Sequence, residues 1–124
     1  LISDLCQDKY GNIWIATDYG LNKFDGYQFT SYLHDDTDST SICSNAVVEL
    51  LCDSKGRLWV GTNRGLDLYN DDLNAFIHYK FPADVRPRIS DVVELSDGRI
   101  LFCTAGYGTF VIGEDNVLKT TEEF

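Results

Sequence analysis

The feature that most constrains this chain is that it says nearly the same thing twice. The stretch from Asp53 to Leu66 restates the stretch from Asp8 to Leu21 at an offset of 45 residues (8 to 53), with Gly11/Gly56, Trp14/Trp59, Thr17/Thr62 and Gly20/Gly65 coinciding. A looser third copy starts at Asp97-Gly98-Arg99-Ile100, with Leu101 where the tryptophan stands and one extra residue before Gly108. Punctuation and apolar positions recur together. A period in the forties marks a solenoid, a propeller or another array, because each unit needs its neighbour to cover its apolar faces.

Within one period four short apolar runs alternate with turn formers such as Asp8-Lys9-Tyr10-Gly11, Asp18-Tyr19-Gly20 and Asp25-Gly26, which is the pattern of tight antiparallel hairpins. Ile13 to Ala16 has no polar break, so that strand is expected to be covered on both sides. No segment carries helical periodicity. The fold class expected is all-β, a β-propeller fragment of about three four-stranded antiparallel blades. Blade 1 is placed at 1–33, a return at 34–45, blade 2 at 46–81, a second return at 82–88 and blade 3 at 89–124, its first hairpin shortened to Ser96-Asp97-Gly98.

Trp14 and Trp59 are expected to pack between blades, and Asp8, Gly11, Asp53 and Gly56 to shape the first turns, with each carboxylate accepting N–H groups of its own turn. Propellers close with about four to eight blades. Three blades leave two raw faces, so self-association is expected, for instance as a dimer of three-blade halves.

The 124 residues carry a formal charge of −10, which argues against a nucleic-acid or anionic-membrane partner. No run reaches the roughly 18 apolar residues of a membrane span, and residues 1–10 lack a charged leader followed by an apolar core. The sequence thus reads as a piece of something larger. Cys6, Cys43, Cys52 and Cys103 show no CxxC spacing and have no histidine beside them, so no metal and no cofactor is expected. Cys6, Cys52 and Cys103 lie in apolar runs and read as small core residues.

The run from Ser3 to Phe29, together with Leu58-Trp59-Val60-Gly61-Thr62, Gly65-Leu66 and the linker Asp36 to Asn45, resembles the two-component regulator propeller repeats. The resemblance covers residues 2–80 well and the remainder loosely. It implies the N-terminal blades of the periplasmic sensor of a hybrid two-component system from a glycan-degrading bacterium. In such a parent two large propellers precede a β-sandwich, a membrane span, a histidine kinase and a response regulator. This stretch would then touch the membrane only through its parent. His34 and His78 sit in a loop and a strand, so neither is a phospho-acceptor candidate, and no residue is assigned a catalytic role.

Alternating strand direction sends the turn between the second and third strands of each blade to the same face as the long return. That face gathers Asp18, Tyr19, Asn63, Arg64 and Tyr107 with the residues around Asp35, Asp36, Asp38 and Arg86. Aromatic faces with fixed donors and acceptors suit an oligosaccharide. Turn positions also favour Asn, Asp and Gly for backbone reasons alone. Asp35-Asp36-Thr37-Asp38 lacks the Gly and terminal Glu of an EF-hand and reads as a solvated loop. A non-catalytic sensor leads; a propeller enzyme of the lyase, lactonase or glycosidase class and a protein-interaction scaffold stay open.

Overall fold

The computed structural model describes residues 1–121; the end of the third unit as read from the sequence, 122–124, lies outside the described residues. Twelve strands form three antiparallel four-stranded sheets, each in strict chain order. The first holds β1 (Ile2–Gln7), β2 (Ile13–Thr17), β3 (Gly20–Phe24) and β4 (Phe29–Tyr32), and the second β5 (Val47–Cys52), β6 (Leu58–Thr62), β7 (Gly65–Asn70) and β8 (Ala75–His78). The third holds β9 (Ile89–Glu94), β10 (Ile100–Thr104), β11 (Thr109–Ile112) and β12 (Leu118–Thr120). The fold class is that of propeller blades, with β1, β5 and β9 side by side at the inner edge.

Packing follows the two-residue period of a strand. All five residues of β6 are buried. Leu58 and Val60 join Trp14, Ala16, Leu21 and Leu50 in one apolar layer, while Trp59 points the other way, into a layer with Ile89, Ile100, Phe102 and Phe110. Each tryptophan therefore faces the following blade: Trp14 lies tilted against Tyr69 of the second sheet (centroids 4.9 Å apart), and Trp59 lies in the layer with the third sheet, with Tyr79 of its own unit beside it (5.6 Å). Gly61 lets the blades close up: a Cβ there would lie 2.8 Å from Ile89 Cγ2.

The last strand of the second sheet ends at His78, short of the expected end of blade 2 at 81. Phe81, 5% exposed, leaves the sheet to fill the seam with the third blade, and a single 3-10 turn at Pro82–Asp84 follows because the proline cannot donate to a ladder.

The first hairpins carry a lock. Asp8 Oδ1 accepts the N–H groups of Tyr10 and Asn12, and its Oδ2 accepts Trp14 Nε1–H at 2.8 Å. Asp53 repeats the arrangement with Lys55, Arg57 and Trp59 Nε1–H at 2.9 Å, and adds the Arg57 guanidinium at 2.7 Å. One carboxylate thus closes a turn and fixes the ring that seals the next seam.

The third hairpin is not shortened. Leu95 N–H bonds Arg99 O and Gly98 N–H bonds Leu95 O, the same ladder as Asp53 with Arg57 and Gly56. Leu95 takes the place of the aspartate and Leu101 that of the tryptophan, so both halves of the lock are absent together. Asp97 binds Arg99 instead.

Two apolar sheet faces have no blade against them among the described residues. Register puts Leu5, Ile13, Ile15, Phe24 and Phe29 on the outer face of the first sheet, with Leu5 59% and Phe29 64% exposed. Val93, Leu101 and Val111 share the corresponding face of the third. Sedimentation of the isolated chain should show concentration-dependent association, weakened by Leu5→Asp; a monomer at every concentration would exclude it.

Candidate functional site

One face of the blades is built by the returns and the turns between second and third strands. Gly20 N–H donates to Asn45 O (2.6 Å), Asn63 N–H to Ala46 O (3.0 Å) and Ala105 N–H to Arg88 O (2.9 Å), so the end of each return is tied to these turns. Gly20 has φ +103 and no room for a Cβ, which would meet Tyr32 O at 2.7 Å, so this turn requires glycine.

Between the two returns lies an open groove of about 690 Å³, whose lining includes His34, Asp36, Arg64, His78, Lys80 and Arg86. Arg64, Lys80 and Arg86 line it beside the carboxylates of Asp35, Asp36, Asp38, Asp67 and Asp84. Arg64 is carried by the turn between β6 and β7, Arg86 by the second return, and His34 and Asp36 by the first.

Both histidines are held between two acceptors. His34 Nδ1 meets Ile42 O at 2.8 Å and its Nε2 meets Asp36 Oδ1 at 2.7 Å. His78 Nδ1 meets Asp67 Oδ1 at 2.5 Å and its Nε2 meets Ser39 O at 2.9 Å. A neutral imidazole has one donor and can serve one acceptor; the imidazolium serves both. The Ile42 carbonyl and then Asp36 raise His34 above its ordinary value, and the Asp67 carboxylate raises His78 against the opposing effect of burial.

Asp67 is fully buried and also accepts Cys43 N–H at 2.8 Å. Cys43, Asp67 and His78 bring a sulfur, a carboxylate oxygen and a ring nitrogen within 4.8 Å of one another, a donor set that could hold a divalent cation. The cluster closes without one. Asp67 takes one donor from each neighbour, Cys43 Sγ contacts Thr62 Oγ1 at 3.2 Å, and burial with the adjacent Asp67 charge pushes the thiol up to about 12. Its evident work is to anchor the first return onto β7.

The acidic loop is likewise internally engaged. Asp35 Oδ1 accepts Thr37 N–H and Oγ1–H, and Asp38 Oδ1 accepts the same groups of Thr40.

The candidate residues of the loop face do not form one constellation. Arg64, Asp35, Asp36, Asp38 and Arg86 line the groove. Asp18, Tyr19 and Tyr107 lie outside the lining, Tyr19 71% and Tyr107 55% exposed, and Asn63 Oδ1 accepts the Ser44 hydroxyl at 2.6 Å. Cys103 is exposed rather than in the core, because it falls on the outward-facing set of β10 with Leu101.

A second set of titratable groups lies on the inner strands. Asp4, Glu49 and Asp91 occupy equivalent positions, paired with Ala16, Gly61 and Cys103. Burial, then the charges of Asp4 and Asp91, raise Glu49 to about 7. The signal was the repeat itself, which sets a carboxylate at the same register in all three units.

Residues 1–19 and 41–64 match the family described as two component regulator propeller. Those two stretches carry the two-component regulator propeller repeat. A 41-residue stretch of the chain is 51% identical to a protein named histidine kinase P4 from Formosa agariphila, covering 33% of this chain and 3% of that protein. Among solved structures, the extracellular domain described as belonging to a hybrid two-component system of B. thetaiotaomicron superposes with a TM-score of 0.82 at 25% identity, over 95% of this chain and 18% of that one. Two others share the fold. They are PorZ, a surface component of the type-IX secretion system of Porphyromonas gingivalis (TM-score 0.71, 13% identity, 93% of this chain, 20% of that one), and streptogramin B lyase (0.68, 15%, 95% and 39%). The chain thus spans well under half the length of each of these proteins. Among the described residues no helix is long and apolar enough to cross a membrane.

Proposed function

We propose that these propeller repeats belong to the extracytoplasmic, periplasmic sensor of a hybrid two-component system, and that the groove between the two returns contributes to binding a glycan-derived oligosaccharide whose arrival is signalled across the membrane. The observation that carries this reading is the match over 95% of the chain to the extracellular domain of such a system. The groove supports it. Its 690 Å³ falls in the range of about 300–1,000 Å³ typical of ligand clefts. Arg64 and Arg86 offer forked donors suited to hydroxyl and carboxylate oxygens. Neither histidine is free to act as a base, each being bonded at both ring nitrogens, which favours a binding module over an enzyme.

The test is calorimetry on the complete extracytoplasmic domain of the parent with a panel of plant and host oligosaccharides, beside an activity assay on the same panel. Binding without turnover, weakened roughly tenfold by Arg64→Ala as for loss of one charged hydrogen bond, is the expected result. Turnover without added enzyme would replace the sensor by a propeller enzyme. No binding across the panel would remove the oligosaccharide.

A further inference from the structure

Cys6 in β1 and Cys52 in β5 belong to different blades, yet their sulfurs lie 2.6 Å apart. That is about 0.6 Å longer than a disulfide bond and well inside the contact distance of two unbonded sulfurs. Both side chains are half-buried at the inner edge of the seam, against the layer that contains Trp14 and Leu50. We propose that Cys6 and Cys52 form a disulfide that covalently joins the first blade to the second.

The placement is particular to this seam. Cys6 is equivalent to Leu51 and Cys52 to Glu94 in the next repeat. There the seam is bridged by Ser54 N–H donating to Glu94 Oε1 at 2.8 Å, and no sulfur pair exists. The two remaining cysteines lie on other elements than the pair. Cys43 is engaged with Thr62 beside Asp67, and Cys103 is exposed on the outward side of β10.

The chemistry needs an oxidant, which is a low-molecular-weight disulfide or a dithiol–disulfide oxidoreductase of the secretory compartment. The contact with Cys6 stabilises the thiolate of Cys52 and lowers its ordinary value, while Cys6 is raised first by that same contact and then by burial. Cys52 Sγ therefore attacks the oxidant disulfide, forming a mixed disulfide and releasing one thiolate. Cys6, losing its proton to solvent, then attacks Cys52 Sγ and expels the second thiolate. Two protein thiols are oxidised as one external disulfide is reduced to two thiols. The bond closes the chain from 6 to 52 and restricts the unfolded ensemble accordingly.

The experiment is carried out on the intact chain in a glutathione redox buffer, so that its result does not depend on the compartment or the ligand. The oxidised protein is alkylated without reductant, digested and mapped by mass spectrometry. Expected are a linked peptide pair containing Cys6 and Cys52, a mass about 2 Da below the reduced form, and alkylation confined to Cys43 and Cys103. Reduction should lower Tm by several degrees in the native sequence and leave Cys52→Ser unchanged. Alkylation of all four cysteines after oxidation, or a link that includes Cys43 or Cys103, would overturn the assignment. The mapping on the native sequence decides even if a cysteine variant does not fold.

Discussion

Asp53→Ala should cost about 3–5 kcal/mol of folding stability, the range for removing one partner of a buried charged pair. The carboxylate side chain is fully buried, and four donors end on it: the N–H groups of Lys55 and Arg57, the Arg57 guanidinium and Trp59 Nε1–H. Truncation strands the indole N–H in a dry seam and takes the carboxylate from Arg57, which keeps only Asn116 and the face of the Trp59 ring. The equivalent Asp8→Ala should cost less. Asp8 is only partly buried, and although that burial works to raise its carboxyl, the bonds from Trp14 and Asn12 outweigh it and hold it below the usual carboxylate value. Urea denaturation of both variants checks the order. A cycle with Trp59→Phe, which removes the indole donor, should return a coupling of about 0.5–3 kcal/mol. A cost below about 1 kcal/mol for Asp53→Ala would mean that the seam holds Trp59 by packing alone.

The same residues show how much of the fold was legible in advance. Three sheets in chain order follow from the period, the turn residues and the alternation, since a unit buried on both sides leaves β6 no exposed position. What the pattern hid was long-range pairing. Asp53 repeats with Asp8 and reads as a turn former, but nothing in its spacing announces the bond to a tryptophan six residues on. The third unit shows it by omission, losing aspartate and tryptophan together at Leu95 and Leu101 while keeping its turn ladder. Asp97 matches the missing aspartate in type but not in register, which makes that hairpin look shorter in the sequence than it is.

The loop face was legible only by parity. Strand direction places Asp18, Tyr19, Asn63, Arg64 and Tyr107 on one side, but which of them converge depends on how the returns fold back. The first return is pinned by Asp67, a buried strand residue, and by two histidines, one far from it in sequence. Those contacts leave Arg64 in the groove and Tyr19 and Tyr107 outside it. Chemical suitability for a sugar could not separate them.

The histidine clamps give the second large effect, and its dependence on pH has a definite sign. Asp67→Ala should cost about 3 kcal/mol at pH 6, at the low end for a broken buried pair because the His78 ring is partly wet. Asp67 holds His78 as imidazolium and raises it above 6.5 in the folded state. A raised value means that the folded chain binds the proton more tightly. The stabilisation is therefore complete below the unfolded value near 6.5 and is lost as pH rises through the folded value. His34, raised first by the Ile42 carbonyl and then by Asp36, acts in the same direction. The groups facing His78 are Asp67, the Ser39 carbonyl, Cys43 and Arg86, of which Arg86 opposes protonation. Hydrogen exchange in residues 34–45 should therefore accelerate beyond its intrinsic rate as pH rises above about 6.5 and through the raised folded values, as the neutral rings release one acceptor each. The double variant His34→Gln/His78→Gln should show fast exchange throughout that range. Protection that stays constant across this window in the native sequence would mean that the rings are neutral throughout and that Asp67 holds the return through Cys43 N–H alone.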